Sequence, residues 1–253
     1  MTLPRFSVVI PAFNEESYLP RLLNTVDRAR ERYAGDPGSI EVIVADNGST
    51  DATAKIAANR GCLVVAVEKR VIGAARNGGA RVARGEILAF VDADTQIHPE
   101  TFNEIDLVLT NTQVIGGATG IRFERSSIGI KLTFAMLVVV GNLVRLAIGE
   151  RPTTNVDTGV VFCRRRDFEE IGGYSEERLF AEDAQFLLDL SRLGRRRSQR
   201  FATRMNARAI FSTRKFDRYG DWHYFPLSLR MIVSTLRRGG VRGWARRYWY
   251  EER

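Results

Sequence analysis

The sequence predicts an α/β fold in which a mostly parallel sheet is flanked by helices. Short β-branched runs alternate with segments of helical spacing from Phe6 to about Pro99, which is the pattern of consecutive strand–helix–strand units. Three of the runs end in clusters rich in Asp, Asn and Gly, as expected where the carboxyl ends of parallel strands form a binding edge. A chain of 253 residues, 44% of them hydrophobic, can bury the core that such a sheet needs.

Local patterns predict each element in turn. The β-branched run Phe6–Ile10 predicts the first strand, which should end at Pro11. Helical spacing predicts the first helix from its apolar residues, Leu19, Leu22, Leu23 and Val26. The later elements are a strand over Glu41–Ala45, a helix over Asp51–Asn59, a strand over Leu63–Val67, a helix over Gly73–Arg84, a strand over Ile87–Val91 and a helix beginning near Pro99. Asp51 is expected to cap its helix, and Pro99 suits a first helical position.

The excess positive charge is confined to the last quarter of the chain. Residues 192–253 carry 17 Lys and Arg against 4 Asp and Glu, although the net charge of the whole chain is only +8. Nucleic acid, anionic lipid or a phosphorylated substrate could each meet such a surface. We predict a single domain over residues 1–221 and a basic, aromatic, helical tail over residues 222–253.

Two cysteines, Cys62 and Cys163, allow at most one disulfide, and no signal peptide opens the sequence. We therefore expect a reducing, cytoplasmic compartment.

The three polar clusters are the first candidates for a functional site. They are Pro11–Glu15 after the first strand, Asp46–Asp51 after the second and Asp92–Asp94 after the fourth. Turn and cap preferences explain any one cluster, but three clusters at one sheet edge favour a site. Asp92 and Asp94, two residues apart on an extended segment, can reach one cation, and carboxylate oxygens suit Mg²⁺ or Mn²⁺.

The ordered set of motifs resembles the family 2 glycosyltransferases, inverting enzymes of the GT-A fold that use sugar nucleotides. The resemblance runs from about Phe6 to Arg192. Besides the three clusters, it is carried by Gly73-Ala74-Ala75-Arg76-Asn77, Gly172-Gly173-Tyr174 and Glu182-Asp183. It implies a GT-A (Rossmann-like) sheet with a nucleotide-binding half of about residues 1–110 and an acceptor half of about residues 111–221.

The resemblance also implies the residues that bind the donor. Many members carry Asp where this chain has Asn47, so the contact to the base is assigned to Asp46. The donor diphosphate would be bridged by Mg²⁺ or Mn²⁺ held by Asp94 and Asp92. The implied nucleotide-sugar-binding residues are Pro11, Ala12, Glu15, Asp46, Arg76, Asp92, Arg214, Lys215 and Arg218.

The acidic pair Glu182-Asp183 opens an apolar periodic segment and supplies the implied catalytic residues. The macrodipole alone favours acids in a first helical turn. In the family this position holds the general base, so Asp183 would take the proton of an acceptor hydroxyl, with Glu182 beside it. His98, just before Pro99, is interpreted as a loop residue.

Two departures refine the expected activity. The Gln-x-x-Arg-Trp motif of processive members is absent after Arg192, which indicates transfer of one sugar per encounter. In its place, Phe211–Arg218 resembles the basic loop that closes over the diphosphate in polyprenyl-phosphate sugar synthases. A solvated basic loop is the alternative interpretation.

The expected function is transfer of one sugar from a UDP- or GDP-sugar to a hydroxyl of a glycan or lipid-linked acceptor, in cell-envelope polysaccharide or glycolipid synthesis. A polyprenyl-phosphate sugar synthase is an alternative, since a phosphate oxygen needs less help from a base. A nucleotidyltransferase should instead carry a Gly-rich loop with Lys or Arg after the first strand, which Pro11–Glu15 does not match. A non-catalytic module binding sugar nucleotides or anionic lipid remains open, although Asp183 beside a complete metal motif argues against it.

A membrane contact is expected without a spanning segment. Leu132–Ile148 is the most apolar stretch, but it is short for a span and includes Arg145. It is predicted to be a buried or interfacial helix beside the acceptor site. Arg and aromatic residues of the tail favour peripheral attachment to anionic lipid at the inner face of the cytoplasmic membrane. No nucleic-acid-binding motif accompanies these arginines, so nucleic acid is not expected as a partner.

Overall fold

The computed structural model describes residues 3–147, 158–177, 182–202 and 205–222. The strands are β1 (Phe6–Ala12), β2 (Ile40–Asp46), β3 (Leu63–Ala66), β4 (Ile87–Val91), β5 (Val114–Ala118), β6 (Ile121–Phe123), β7 (Val160–Arg164), β8 (Arg200–Ala202) and β9 (Ala209–Phe211). The helices are α1 (Leu19–Arg32), α2 (Thr53–Asn59), α3 (Ile72–Val82), α4 (Thr101–Thr110), α5 (Ile128–Ala147), α6 (Arg165–Glu170), α7 (Glu182–Arg196) and α8 (Arg214–Tyr219). A short 3₁₀ helix, Pro37–Ser39, precedes β2.

The main sheet confirms the predicted α/β class. Its seven strands lie in the order β3-β2-β1-β4-β7-β5-β8. The β3-β2-β1-β4 half is parallel throughout, and β7 is antiparallel to both of its neighbours. A second, two-stranded parallel sheet joins β6 and β9 beside it.

Helices cover both faces of the sheet because the strands are apolar on both sides. Along β1, Phe6, Val8 and Ile10 face a cluster formed with α1 and α4, and Val9 faces the opposite cluster with α3, α6 and α7. This alternation follows from the two-residue period of a strand, and strands buried on both faces are typical of parallel sheets.

The carboxyl ends of β1 and β2 lie side by side, with Ala12 paired to Asp46. β1 runs past Pro11, where the sequence had predicted its end. Ala12 O accepts a bond from Asn47 N on the β2 side, so Pro11 faces β4, where pairing has already stopped at Val9. A missing N–H is tolerated there because no strand needs it.

Two predicted elements differ from the structure. The helix expected near Pro99 begins at Thr101 instead. The segment Phe211–Arg218, expected to be a loop, is the end of β9 followed by the helix α8. Thr213 anchors that helix, since its carbonyl accepts from Asp217 N and its hydroxyl lies 3.2 Å from Asp217 Oδ2. Gly220, at φ 85°, ends it.

The remaining predictions concern single residues and segments. The N-cap of α2 is Ala52, which has no side-chain cap bond, rather than the expected Asp51; Asp51 Oδ1 instead accepts the N–H of Thr53, the first helical residue, at 2.9 Å. Cys62 and Cys163 carry free thiols. The division near residue 110 stays a prediction. Ile148 and residues 223–253 of the predicted tail lie outside the described residues.

The apolar stretch predicted over Leu132–Ile148 belongs to α5. The helix buries Ile130 and Thr133 and exposes Leu132 and Leu143. Within the described ranges, none of the helices combines the length and the hydropathy that a bilayer span requires.

Candidate active site

A cavity of about 290 Å³ opens at the carboxyl edge of the sheet. The ends of β1, β2 and β4 form one side, and the start of β7 and the first turns of α7 and α8 form the other. The charged side chains that line it are Glu15, Asp92, Asp94, Glu182 and Asp183 among the acids, and Arg76, Arg214 and Lys215 among the bases. This lining brings together most of the residues that the sequence had assigned to a site.

Arg76 lies at the centre of the acidic side chains. Its Nη1 atom is 2.9 Å from Glu182 Oε1 and 2.8 Å from Asp183 Oδ1, and its Nη2 atom donates to Asp92 Oδ1 at 2.8 Å. The side chain is only 4% exposed. Burial alone would lower its pKa, but the carboxylates of Asp183 and Asp92 outweigh this and hold the pKa well above the ordinary arginine value. Arg76 is therefore a fixed cation that links the end of β4 to the start of α7.

Close packing of α3 places Arg76. A side chain at Gly79 would approach Val9 Cγ1 to 2.5 Å, and one at Gly73 would approach the carbonyl of Ser175 to 2.5 Å. The helix therefore lies directly on β1 and on the segment before α7. The Arg76 guanidinium also lies 5.0 Å from the ring centroid of Tyr174, a cation–π contact.

The Gly172-Gly173-Tyr174 turn supports this arrangement. Gly172 and Gly173 have φ values of 79° and 74°, which glycine adopts without strain. Asn77 then clasps the backbone of Tyr174, accepting its N–H and donating to its carbonyl, both at 2.9 Å. The turn predicted from the double glycine is thus present, and it seats Tyr174 under Arg76.

Asp183 has the perturbed acidity expected of a proton acceptor. Burial raises the pKa of Asp183 to about 7, with help from the charges of Glu182 and Asp92 and against the effect of Arg76. About a third of the side chain, 32%, is exposed, but its Oδ1 atom is enclosed and makes no aligned hydrogen bond. A carboxylate with this pKa changes charge close to neutral pH.

A second cation, Arg214, lines the cavity from the start of α8. Its guanidinium forms a two-pronged pair with Glu15, at 2.7 and 2.6 Å, and its Nε atom lies 3.0 Å from Asp94 Oδ2. The same guanidinium lies 4.7 Å from the Tyr18 ring centroid. Burial alone would lower the pKa of Arg214, but Glu15 and Asp94 outweigh this and hold the pKa above the ordinary arginine value. The first turn of α8 is thereby held over the loop that follows β1.

The side of the cavity next to β2 is less charged. Pro11, Ala12, Phe13 and Asn47 line it. Asn47 Nδ2 donates to the carbonyls of Val67 and Lys69, which fixes the loop after β3. Asp46 lies at the margin rather than on the lining, where its Oδ1 accepts from Ser49 N at 3.2 Å.

Arg218 lies outside the cavity. It is exposed on α8, with its guanidinium 5.3 Å from the ring centroid of Tyr219. His98 accepts a bond from Glu100 N, as expected of a loop residue.

Sequence reasoning missed several lining residues. Several of them lie inside segments already singled out, so their neighbours in the sequence were the signal: Phe13, Asn47, Ala75, Ala93, Phe211, Ser212 and Phe216. The others are Ile72, Phe90, Thr158, Gly159 and Val161. Most of these are small or apolar, and no local pattern separates them from core residues.

The residues at the end of β4 fit a divalent cation only together with further oxygen ligands. Among the described residues, no group of three or more His, Cys, Asp or Glu side chains is arranged to hold a metal. Five acids against three bases, however, leave the cavity lining with an excess of two negative charges. Mg²⁺ is commonly held by one or two carboxylates plus the phosphates of a substrate, which is the donor set that Asp92 and Asp94 can complete.

Comparison with known proteins assigns this architecture to a family. The family model described as "Glycosyl transferase family 2" matches residues 7–172. Glycosyltransferase AglE of Haloferax volcanii is 36% identical over 124 residues, which cover 46% of this chain and 40% of that protein. Validoxylamine A glucosyltransferase of Streptomyces hygroscopicus subsp. limoneus is 36% identical over 111 residues, covering 39% and 22%. The chain therefore spans less than half the length of these curated relatives.

Solved structures share the fold at low identity. TarS 1–349 of S. aureus in complex with UDP-GlcNAc is 22% identical, with a TM-score of 0.60 over 83% of this chain and 58% of that one. The mannosyltransferase PcManGT of Pyrobaculum calidifontis, in complex with GDP-Man and Mn²⁺, is 20% identical, with a TM-score of 0.60 over 83% and 57%. At this identity the likeness establishes the fold alone, and it confirms the GT-A expectation.

Proposed function

The chain belongs to glycosyl transferase family 2 and is a glycosyltransferase, and we propose that it moves one sugar from a UDP- or GDP-sugar to a hydroxyl acceptor with inversion at the anomeric carbon. The observation that carries the proposal is Asp183. Its carboxylate has a pKa of about 7 and lines the same cavity as the two aspartates that follow β4. A base poised near neutral pH suits an acceptor hydroxyl, which must lose a proton as it attacks.

In this proposal the donor lies along the carboxyl edge of the sheet. Pro11, Ala12 and Asp46 bind the nucleoside, and Glu15 holds the loop after β1 in place through Arg214. Arg76 and Asp92 lie where the ribose and the diphosphate would pass. Lys215, with Arg214, neutralises the charge of the leaving group, because guanidinium and ammonium groups bind phosphate oxygens.

Transfer is then a single displacement. Asp183 takes the proton of the acceptor hydroxyl while that oxygen attacks the anomeric carbon opposite the diphosphate. Glu182 and Arg76 hold Asp183 in position, since Arg76 contacts both carboxylates within 3 Å. One displacement inverts the configuration, and the proton ends on Asp183.

Asp92 and Asp94 are proposed to hold Mg²⁺ or Mn²⁺ against the donor diphosphate. When bound, such an ion stabilises the negative charge that grows on the departing nucleoside diphosphate. In this structure Arg214 Nε pairs with the Asp94 carboxylate. We propose that, when the donor and the ion bind, Arg214 Nε leaves this carboxylate and binds the diphosphate instead. The Mn²⁺ bound with GDP-Man in the mannosyltransferase supports the choice of a divalent cation.

A panel of donors tests the proposal at its first step. Melting temperatures are measured with UDP-, GDP- and dTDP-sugars, each with and without Mn²⁺. A ligand that binds the folded state raises its apparent stability, by about 2.7 kcal/mol at a concentration 100 times the Kd. A shift for one base, dependent on Mn²⁺, is the expected result. No shift with any nucleotide sugar would contradict the proposal.

Asp94→Ala is expected to remove the dependence of this shift on Mn²⁺ and to slow release of nucleoside diphosphate by about 100-fold or more. The reason is that the variant loses a ligand of the proposed ion while keeping the nucleoside pocket. Asp27→Ala on the surface of α1 is the matched control and should behave like the wild type. Full turnover by Asp94→Ala would rule out the metal role of this residue.

The rate of transfer to a hydroxyl acceptor is expected to fall about tenfold for each pH unit below a pKa of about 7. The sign follows because the pKa of Asp183 is raised, so that lowering the pH protonates the base and removes it from the reaction. The rate is measured at saturating donor, and donor-induced melting shifts at each pH separate lost binding from lost proton transfer. A rate that stays level through pH 7 to pH 5 would show that another group accepts the proton.

The acceptor is proposed to be a hydroxyl of a glycan or of a lipid-linked sugar in the cell envelope. The raised pKa of Asp183 supports a hydroxyl over a polyprenyl phosphate, whose oxygen is already anionic. We propose peripheral association with the inner face of the cytoplasmic membrane through the tail, residues 222–253, because this segment is rich in Arg and aromatic residues.

A further inference from the structure

One face of α5 presents aliphatic side chains to solvent along its whole length. We call it the α5 stripe; its members and exposed fractions are Ile128 (76%), Leu132 (49%), Val139 (58%), Leu143 (61%) and Leu146 (55%). At 3.6 residues per turn these five positions fall within an arc of about 60°. Single exposed leucines are ordinary on protein surfaces, but a continuous apolar row of this length marks an interaction site.

The opposite face of the same helix packs on the domain. Ile130 and Thr133 are fully buried, and the Phe134 ring lies 6.5 Å from Phe211 and 6.4 Å from Phe216, measured between centroids. Phe211 and Phe216 line the cavity. The buried face of α5 therefore supports the wall of the candidate active site, and the α5 stripe lies on the opposite face of the same helix.

The charge around the α5 stripe identifies its partner. The helix carries Lys131 and Arg145 and no acidic residue over its 20 positions. Trp222 lies against its first turn, where a side chain at Gly129 would approach Trp222 Cε2 to 3.3 Å. Asp221 also lies at this turn, where it is paired with Arg125 at 2.7 Å. An apolar row on a helix whose charged residues are all basic matches a bilayer with anionic headgroups.

We propose that the α5 stripe docks on the surface of an anionic lipid bilayer, with α5 lying in the plane of the interface. A second copy of the chain fits less well, since two such helices would meet without an acidic partner for Lys131 or Arg145. If the proposed glycosyl transfer holds, this docking brings the cavity next to the headgroups. A lipid-linked acceptor is then the substrate class it favours.

Flotation of the full-length chain with vesicles tests the docking surface. The vesicles contain phosphatidylcholine with phosphatidylglycerol in one arm and phosphatidylcholine alone in the other. Val139→Glu and Leu143→Glu are each expected to weaken partition into the anionic vesicles by about tenfold or more, because a charge replaces an exposed aliphatic group that would enter the bilayer. Leu143→Ile should float like the wild type. Leu107→Glu is the matched control, since Leu107 is 72% exposed on α4, and it should float normally.

Three outcomes would overturn the proposal. Variants that float like the wild type would show that other residues, such as the tail, suffice. Equal wild-type binding to both kinds of vesicle would remove the role of anionic lipid. A wild-type dimer in light scattering that Val139→Glu converts to monomers, with unchanged flotation, would assign the α5 stripe to a second copy. Melting temperature and release of nucleoside diphosphate from the donor should be unchanged in all variants, which separates failure of the docking surface from failure of the proposed function.

Discussion

Asp183→Asn is expected to slow transfer to a hydroxyl acceptor by about 100- to 10,000-fold, the usual contribution of a general base. The amide keeps the shape of the carboxylate but cannot take a proton at neutral pH. The donor contacts proposed along β1, β2 and β4 remain, so KM for the nucleotide sugar should change little while kcat falls. Both constants are measured from the release of nucleoside diphosphate in the presence of acceptor.

Asp189→Asn is the matched control for this prediction. Asp189 lies on the same helix, paired with Arg192 and outside the cavity lining, so its variant should keep wild-type turnover. The acid limb of the pH profile should also disappear in Asp183→Asn, because the titrating group is gone. Undiminished transfer to a hydroxyl acceptor would refute the role of Asp183. Undiminished transfer to a polyprenyl phosphate alone would instead favour the polyprenyl-phosphate sugar synthase.

Arg76→Ala is expected to lower the free energy of unfolding at neutral pH by about 3 to 5 kcal/mol, the usual cost of removing one partner from a buried ion pair. The variant leaves Asp92, Glu182 and Asp183 without the cation that contacts all three. Burial already raises the pKa of Asp183 to about 7 in the presence of Arg76, so the enclosed carboxylates pay a large desolvation cost. Denaturant titration measures the loss.

The loss should depend on pH, and its sign can be derived. Without Arg76 the folded-state pKa of Asp183 rises further above that of the unfolded chain. The folded state then binds a proton that the unfolded state does not, so the stability of the variant falls as the pH rises through the raised pKa of Asp183. The deficit against the wild type should therefore be smaller at pH 5 than at pH 8.

Arg81→Ala provides the control on the same helix. Arg81 is exposed one turn beyond Arg76, so its variant should lose less than about 1 kcal/mol. Arg76→Lys should recover part of the stability, since it restores the charge but not the two-pronged geometry. Equal losses for Arg76→Ala and Arg81→Ala would show that the buried cation does not hold the acidic side chains together.

Local signals were sufficient for much of the fold. The strand Ile87–Val91 was predicted with the bounds that the structure has, because a short apolar run between polar residues is typical of a buried strand. The three polar clusters were located for the same reason, since turn residues at strand ends are local in sequence. Membership of the family followed from the order of these clusters along the chain.

Residues outside local patterns were predicted less well. The loop expected over Phe211–Arg218 proved to contain a helix, because Thr213 and Asp217 stabilise its first turn at a position where composition suggested only charge. The strands Val114–Ala118 and Val160–Arg164 were not predicted, although the second is a short apolar run. Their pairing with the rest of the sheet depends on residues far away in sequence.

Sequence order and residue type therefore settled the α/β class, the family and the acidic character of the candidate site. Only the folded structure brings these residues within contact distance of one another and so forms the site. Arg214 meets Glu15 across 199 residues, and Arg76 meets Glu182 and Asp183 across 106 and 107. Such contacts arise from sheet pairing and helix packing, which bring strand ends and helix starts to one edge. Burial there raises the pKa of Asp183, and the same packing turns the α5 stripe outward, so neither property can be read from neighbouring residues alone.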